Sequence, residues 1–340
     1  MDRKSSLLSL FEPVGPGLEI GPSFNPLLPK SEGYEVEILD HLPADQLRTK
    51  YSGVPGADRI EEVDYVWTGE ALSELIGAVS RYSYIVASHV IEHTTDLLGF
   101  LVECEKLLRP EGVLVLTVPD KRFGFDVLRP CTSVGDILQA HVERKSTHAP
   151  GKIFDEVAYN VLRAGQLAWS RSANGELRFF ASLQSAKAAF EAAQASDSFV
   201  DIHAWQFTPS TFRLVVSDLN ACGFLALREG AFLEGDAPEF YIVLSRAEYG
   251  CPVDRLTLLE RAIAEEADIA TRSNPPSPDE VATHLAVIAA LEAKLAVAER
   301  DKEAYAEQLA ALTASRSWRL TASLRRAANL VRRWRLTSRI

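Results

Sequence analysis

The chain has 340 residues, of which 47% are hydrophobic and 24% charged, enough for one ordinary domain with an appendage or for two domains. Its formal net charge of −11 argues against general nucleic-acid binding by the main body. The four cysteines form no zinc or disulfide pattern and no apolar run could span a bilayer, so we expect a cytoplasmic protein.

Two short β-like segments separated by a glycine turn open the chain. The first, Leu18–Ile20, breaks at Gly21, and the second, residues 34–39, ends at Asp40. A strand, a glycine turn, a second strand and an acid about 20 residues on form a dinucleotide-type arrangement. Two nearby prolines remove backbone donors, so the loop suits a nucleoside without phosphates better than a pyrophosphate. A rigid surface turn is the alternative.

The strongest pattern covers residues 82–125, after a β-like segment at 59–66 and a helical one at 71–79. It predicts a strand ending at Ser88, a helix from about Thr95 that Pro110 and Gly112 end, and a buried strand at 113–118. These make a right-handed parallel crossover. Because ligands sit at the carboxyl ends of such strands, we expect the chemistry after Ser88 and after the second strand.

The rest of the main body predicts a helical insertion over residues 121–205, with helices at 134–142, 154–169 and 183–195. Thr208 is suited to cap the next helix. A hairpin of residues 224–232 and 240–245 then completes a doubly wound, mostly parallel α/β sheet of seven strands within a domain at 1–250.

The composition changes after residue 250. Residues 251–280 predict a helix and a proline-rich linker, and a seven-residue repeat over 281–312 predicts a coiled coil able to join two copies of the chain. A solitary amphipathic helix is the alternative. Residues 313–340 carry eight arginines and no acid, interleaved with tryptophan and leucine. Such a tail suits an anionic membrane surface, here the inner face, or an acidic partner.

Several of these segments together resemble class I S-adenosylmethionine-dependent methyltransferases. They are LEIGPSFNP at 18–26, Asp40–His41, 63–69, 88–96, 108–118 and 119–126. The resemblance covers about residues 15–247 and points to a bacterial group found alongside glycosyltransferases of surface polysaccharide synthesis. SRSWRLTASLR at 315–325 is similar to a tail segment of such glycosyltransferases. The resemblance implies a Rossmann-like fold, S-adenosylmethionine as cofactor, a sugar or glycan acceptor and glycosyltransferase partners.

The resemblance also places eight residues at the cofactor: Glu19, Gly21, Ser23, Asn25, Asp40, Asp64, Ser88 and His89. Ser23 and Asn25 stand where the family has its second and third glycines. Asp40 matches the ribose-binding acid, and Asp64 matches an acid near the adenine. Ser88 and His89, which follow the fourth strand, match the family segment that lies beside the sulfonium of the cofactor.

Methylation of a sugar hydroxyl is helped by a general base, and histidine is the natural one. His203, which lies beside Trp205, is our first candidate, and His141 is our second. His89 and His148 are the others, and each of the four could instead be a structural histidine.

Two alternatives to methyl transfer come from the same residues. His89–His93 (HVIEH) satisfies the pattern of inverted zinc peptidases, provided that both histidines lie on one continuous helix. The resemblance explains this pentapeptide without a metal, so we predict none. The missing glycines of the first loop motivate the second alternative, a non-catalytic scaffold that recruits glycosyltransferases through its coiled coil and basic tail.

Overall fold

The computed structural model describes residues 2–235, 238–273 and a few helical positions between 293 and 306. The chain divides into two compact units, Met1–Ser273 and Asn274–Ile340. Most of the predicted coiled coil at 281–312 and the whole basic tail at 313–340 lie outside the described residues. No helix in the described part of the chain has the length and apolarity needed to cross a membrane.

The first unit alternates strands and helices. Its strands are β1 (Gly17–Ile20), β2 (Val36–Asp40), β3 (Tyr65–Val66), β4 (Tyr82–Ser88), β5 (Leu108–Pro119), β6 (Val161–Arg163), β7 (Leu177–Phe179), β8 (Arg228–Glu234) and β9 (Glu239–Ser245). Its helices are α1 (Arg3–Leu8), α2 (Ala44–Lys50), α3 (Leu72–Ile76), α4 (Leu97–Leu107), α5 (Val134–Glu143), α6 (Pro150–Tyr159), α7 (Leu183–Gln194), α8 (Pro209–Ala221) and α9 (Arg255–Ser273).

Seven of the strands form one sheet in the order β3-β2-β1-β4-β5-β9-β8. The pairs from β3 to β5 are parallel, whereas β9 pairs antiparallel with both β5 and β8. Strands β6 and β7 form a separate hairpin inside the predicted insertion. The structure therefore has the predicted mostly parallel seven-stranded α/β sheet.

Both faces of the sheet are covered, as the continuous apolar strands require. On one face, Leu18, Ile85 and Leu114 lie in a buried cluster with Leu101 of α4 and Phe212 of α8. On the other face, a second cluster joins strand residues to α1 and to the segment after the β1 loop: Leu7, Leu28, Val86, Val115 and Val243. The central strands are therefore fixed from both sides, which holds their carboxyl ends in place.

Three sequence-based assignments differ from the structure. The segment predicted as a strand at 59–66 is a strand only at Tyr65–Val66; a 3-10 helix ends at residue 59, and residues 60–64 have no regular structure. The helix predicted at 154–169 ends at Tyr159, since the chain turns there into the β6–β7 hairpin. Helix α4 passes directly into β5, where Leu108 already pairs with Tyr82, so the helix ends before Pro110.

Helix α9 lies within the first compact unit, Met1–Ser273, and the domain boundary at residue 250 stays a prediction. Its Glu265 accepts hydrogen bonds from the amide and hydroxyl of Ser210 at 3.0 and 2.7 Å. Its Arg255 pairs with Asp218 of α8 at 2.7 Å. These contacts tie α9 to both ends of α8.

The predicted cap of α8 gives a direct test of this part of the fold. Thr208 is fully buried, its hydroxyl accepts from the amide of Thr211, and its own amide donates to the Thr211 hydroxyl at 2.7 Å. We expect Thr208→Ala to lower the free energy of unfolding by about 1–2 kcal/mol, because it leaves a helix amide without an acceptor.

Urea unfolding followed by circular dichroism measures the effect. The matched control is Thr49→Ala at an exposed position within α2, where we expect a change below about 0.5 kcal/mol. Equal stability of Thr208→Ala and the native chain would contradict the capping role.

Candidate active site

The loop after β1 has the close turn that its glycine predicts. Gly21 has φ +66°, and a Cβ there would lie 3.0 Å from Cγ2 of Val90. Ser23 also has a positive φ, +50°, a conformation that residues other than glycine adopt infrequently. The loop thus keeps a glycine-like shape although serine has replaced the second glycine. Asn25, at the third glycine position, is exposed, and its amide donates to the carbonyl of Pro22.

Glu19 fixes the far end of this loop. Its side chain is 2% exposed, and it accepts hydrogen bonds from the amides of Leu27 and Leu28 at 2.7 and 3.1 Å. Burial raises the pKa of Glu19 to about 7, despite the two backbone hydrogen bonds that favour its charged form. In these contacts Glu19 shapes the loop, and its predicted contact with the cofactor stays a prediction.

Asp40 joins the loop to the end of β2. One of its carboxylate oxygens accepts from the amide of Ser23 at 2.9 Å, and the other accepts from the amide and ring of His41 at 2.7 and 2.6 Å. Asp64 lies before β3, accepts from the amide of Ile38 at 2.7 Å and pairs with Lys30. Asp40 therefore contacts the loop after β1, whereas Asp64 contacts the backbone of β2.

Two buried hydroxyls lie at the same strand ends. The Oγ atoms of Ser23 and Ser88 have no hydrogen-bond partner among the described residues. Buried polar groups of this kind need a partner. Together with the carboxylate of Asp40, they fit a ligand that carries ribose hydroxyls and an amino-acid group, as the cofactor implied by the sequence does.

His89 follows β4 directly and has φ +54°. Its amide donates to the carbonyl of Thr117 at 3.0 Å, and its Nε2 lies 2.7 Å from Glu239 of β9. Glu239 also accepts two hydrogen bonds from Arg3 of α1, at 2.9 and 2.6 Å. Burial opposes the charge of Glu239, but the hydrogen bonds from His89 and Arg3 outweigh it and lower its pKa to about 2. His89 is thus part of an ion-pair network between three segments.

The pentapeptide at 89–93 does not have the geometry of a zinc peptidase. Ile91–His93 is a single 3-10 turn and His89 lies outside it, so the two histidines do not share a continuous helix. Glu92 is 1% exposed, and neither of its carboxylate oxygens has a hydrogen-bond partner among the described residues. The backbone carbonyl of Glu92 accepts from the amide of Ala204 at 2.7 Å, which joins this turn to the segment before α8.

His203 lies beside this turn. Donor atoms of Glu92, His93 and His203 all lie within 4.8 Å of one another, and we call these three residues the Glu92 cluster. Nδ1 of His203 is 3.2 Å from Asp126. Burial opposes a charge on His203, but the hydrogen bond and charge of Asp126 outweigh it and raise its pKa to about 9. Nδ1 of His93 is 2.7 Å from Asp201, so a carboxylate lies beside each imidazole, and Asp126 also forms a hydrogen bond with its histidine.

The other two histidine candidates lie outside the Glu92 cluster. Nδ1 of His141 is 2.9 Å from Asp96, which is also the N-cap of α4. His148 is buried, and its Nε2 is 3.1 Å from the carbonyl of His93; burial lowers its pKa to about 4. Trp205 is only 3% exposed and donates to the carbonyl of Thr94 at 2.6 Å, so it packs in the core.

Sequence reasoning missed the carboxylates of this site. The sequence pointed to Glu92 and His93 only as part of the peptidase pattern, and it did not identify Asp126 or Asp201 as candidate site residues. A usable signal was present in Asp201 and His203, which are spaced two residues apart next to a tryptophan. The pairing of this segment with the turn after β4 spans more than a hundred residues, and only the fold shows it.

A family model described as "Methyltransferase domain" matches residues 4–196, more than half of the chain. No curated protein sequence matches this chain. The CcbJ methyltransferase from Streptomyces caelestis is 15% identical over 72% of this chain and 94% of its own, with a TM-score of 0.36. An S-adenosylmethionine-dependent methyltransferase from Aquifex aeolicus is 12% identical over 71% and 88%, with a TM-score of 0.35. The mitomycin 7-O-methyltransferase MmcR is 12% identical over 72% and 53%, with a TM-score of 0.34.

The network around Glu239 predicts a dependence of stability on acid. A carboxyl with a pKa near 2 in the fold and near 4.5 in the unfolded chain stabilises the fold above pH 4.5, and this contribution is lost as the pH falls toward 2. It amounts to about 3 kcal/mol at most. We expect Glu239→Gln to be less stable at pH 6 and to lose less stability between pH 5 and pH 3.

Urea midpoints measured across this range by tryptophan fluorescence test the expectation. The control is Glu111→Gln at an exposed position on β5, which should reproduce the native slope. Parallel pH profiles for Glu239→Gln and the native chain would contradict the assignment.

Proposed function

This chain belongs to the family of methyltransferase domains and is an S-adenosylmethionine-dependent methyltransferase, and from that premise we propose that it methylates a hydroxyl of a sugar or glycan. S-adenosylmethionine supplies a methyl group that is already activated on its sulfonium. The protein must therefore bind the acceptor, orient one oxygen, exclude water and take up the proton of the hydroxyl.

The buried carboxylate of Glu92, which forms no hydrogen bond with the described residues, is the observation that carries this proposal. A buried carboxylate without hydrogen bonds is costly, and hydroxyl groups of an acceptor are donors that would satisfy it. The Glu92 cluster follows Ser88 closely, at the carboxyl end of β4 where the family places the reacting methyl group. An apolar acceptor would leave these groups unpaired, whereas a polyhydroxylated one offers several donors and acceptors.

His203 remains the first candidate for the group that takes up the proton. It lies in the Glu92 cluster and Asp126 orients its ring, as expected of a general base that a carboxylate holds in place. Because its pKa is raised to about 9, only the deprotonated fraction of His203 can act as the base, and methyl transfer should rise as the pH approaches 9. His141 is held by Asp96 outside the cluster, so we place it second.

Neither alternative to methyl transfer is favoured. The peptidase pattern needs His89 and His93 on one helix, and His89 is instead engaged by Glu239. The scaffold hypothesis was motivated by the missing glycines, yet Ser23 adopts the left-handed conformation that the loop needs. With the family match over residues 4–196, these contacts favour an active enzyme.

The proposal also covers the process in which the enzyme acts, its partners and its location. The resemblance of the sequence to methyltransferases found alongside glycosyltransferases supports an acceptor in surface polysaccharide synthesis and glycosyltransferases as partners. The same resemblance and the basic tail support a cytoplasmic enzyme at the inner face of the membrane, joined to a second copy through residues 281–312.

Transfer of a radiolabelled methyl group to a panel of sugars, nucleotide sugars and polysaccharide fragments tests the acceptor class. We expect a methyl ether, which survives mild alkali, and loss of labelling with the matching deoxy sugar. We expect His203→Gln to lower kcat by about 10²–10⁴-fold without changing the affinity for S-adenosylhomocysteine. Label in an alkali-labile ester or on nitrogen would contradict a hydroxyl acceptor.

Asp40→Ala tests the cofactor site separately. We expect the affinity for S-adenosylhomocysteine to fall at least about tenfold, because the variant loses the predicted ribose acceptor and the bond that holds the Ser23 amide. Calorimetric titration measures this affinity. Asp45→Ala, at an exposed position on α2, is the control and should bind like the native chain. Unchanged binding by Asp40→Ala would show that the ribose lies elsewhere.

A further inference from the structure

The Glu92 cluster has the donor set of a divalent metal site. It offers one carboxylate and two imidazoles, with donor atoms within 4.8 Å of one another, and Oε1 of Glu92 is 3.8 Å from Nε2 of His93. Ligands on one metal ion lie about 3–3.5 Å apart, given metal–nitrogen distances of about 2.1 Å. Small side-chain rotations would therefore close the cluster on an ion.

A carboxylate from outside the cluster lies beside each imidazole. Asp126 faces Nδ1 of His203 at 3.2 Å, and Asp201 faces Nδ1 of His93 at 2.7 Å. This leaves Nε2 of each ring as the nitrogen available for a ligand. Metal-binding histidines commonly donate their second ring N–H to a carboxylate, which fixes the tautomer and raises the basicity of the ligating nitrogen. Here Asp126 makes this hydrogen bond with His203, whereas Asp201 lies beside Nδ1 of His93 at ion-pair distance without a hydrogen bond.

The charge of the cluster also favours a cation. Glu92 is buried, and neither of its oxygens has a hydrogen-bond partner among the described residues. Ring nitrogens of His89 and His93 lie 3.5 and 3.8 Å from its Oε1, within ion-pair distance but without a hydrogen bond. A metal ion bound by both imidazoles would lie next to these free oxygens and satisfy the carboxylate.

We propose that Glu92, His93 and His203 bind one divalent transition-metal ion, and that its remaining coordination positions hold an oxygen of the acceptor. Imidazole and carboxylate donors suit ions such as Zn²⁺, Co²⁺ and Fe²⁺. The site differs from the peptidase pattern, because Glu92 is a ligand here and His89 is not. Three protein ligands leave positions open, as in catalytic rather than structural metal sites.

The consequence for the reaction rests on the proposed function. A hydroxyl oxygen bound to the ion loses its proton more readily, because the metal charge stabilises the alkoxide, and the proton passes to solvent. His203 would then act as a metal ligand, and the metal ion would activate the acceptor hydroxyl in place of a general base. A pair of neighbouring hydroxyls, which many sugars have, would occupy two of the open positions together.

Titration of the full-length, untagged protein with Co²⁺ alone tests the proposal. Binding is followed by visible absorption and by equilibrium dialysis with metal analysis, without cofactor or acceptor. We expect one Co²⁺ per chain, and affinity at least about tenfold lower in Glu92→Gln and His93→Gln. Asp126→Asn should weaken binding by about 10–100-fold, as expected for a group that orients a ligand.

His141→Gln is the matched control, since it removes an imidazole that is also paired with a carboxylate but lies outside the cluster. It should bind Co²⁺ like the native chain. Binding without saturation at one ion per chain, or equal affinity in the native chain and both ligand variants, would overturn the proposal.

A parallel titration with S-adenosylhomocysteine keeps the two proposals apart. It reports whether each variant is folded, and it does not depend on the metal. Cofactor binding without Co²⁺ binding would refute the metal site and leave the methyltransferase in place.

Discussion

Parallel pairing of β1 with β2 and β4 is the constraint on which the site depends. In this register Ile20 lies beside Leu39 and Ala87, so Gly21, Asp40 and Ser88 come level at one edge of the sheet. Both faces of these strands are buried, so a shift in register would disrupt two apolar clusters at once. The packing of the core thus also positions the loop at Gly21, the carboxylate of Asp40 and the hydroxyl of Ser88, which we assign to the cofactor site.

Two kinds of buried carboxylate surround this edge, and they differ in how they are paired. Glu19, Asp40 and Glu239 accept hydrogen bonds from the protein and hold loops, strands and α1 in place. Glu92 accepts none from the described residues, although it is as deeply buried. A buried carboxyl group without hydrogen bonds is costly to the fold, so its persistence points to a function in binding an acceptor, a cation or both.

The sequence allowed accurate prediction where local pattern determines structure. The β4–α4–β5 unit and the cap at Thr208 follow from apolar periodicity and capping chemistry within a few residues. Residues 59–66 misled, because most of this β-like segment has no regular structure and only its last two residues form an edge strand. The Glu92 cluster depends on contacts between distant segments, such as the bond from Ala204 to the carbonyl of Glu92. His203 can be chosen as a candidate from the sequence, but the carboxylates that lie beside it depend on how the insertion at 121–205 packs against the turn after β4.

A crystal structure of the complex with S-adenosylhomocysteine would test the central claim most directly, namely that the cofactor and the Glu92 cluster meet at the carboxyl end of β4. We predict that the ribose hydroxyls contact Asp40, that the Oγ atoms of Ser23 and Ser88 gain hydrogen bonds, and that the cofactor sulfur faces Glu92. A ligand bound with its sulfur turned away from the Glu92 cluster, or bound at another edge of the sheet, would contradict the account.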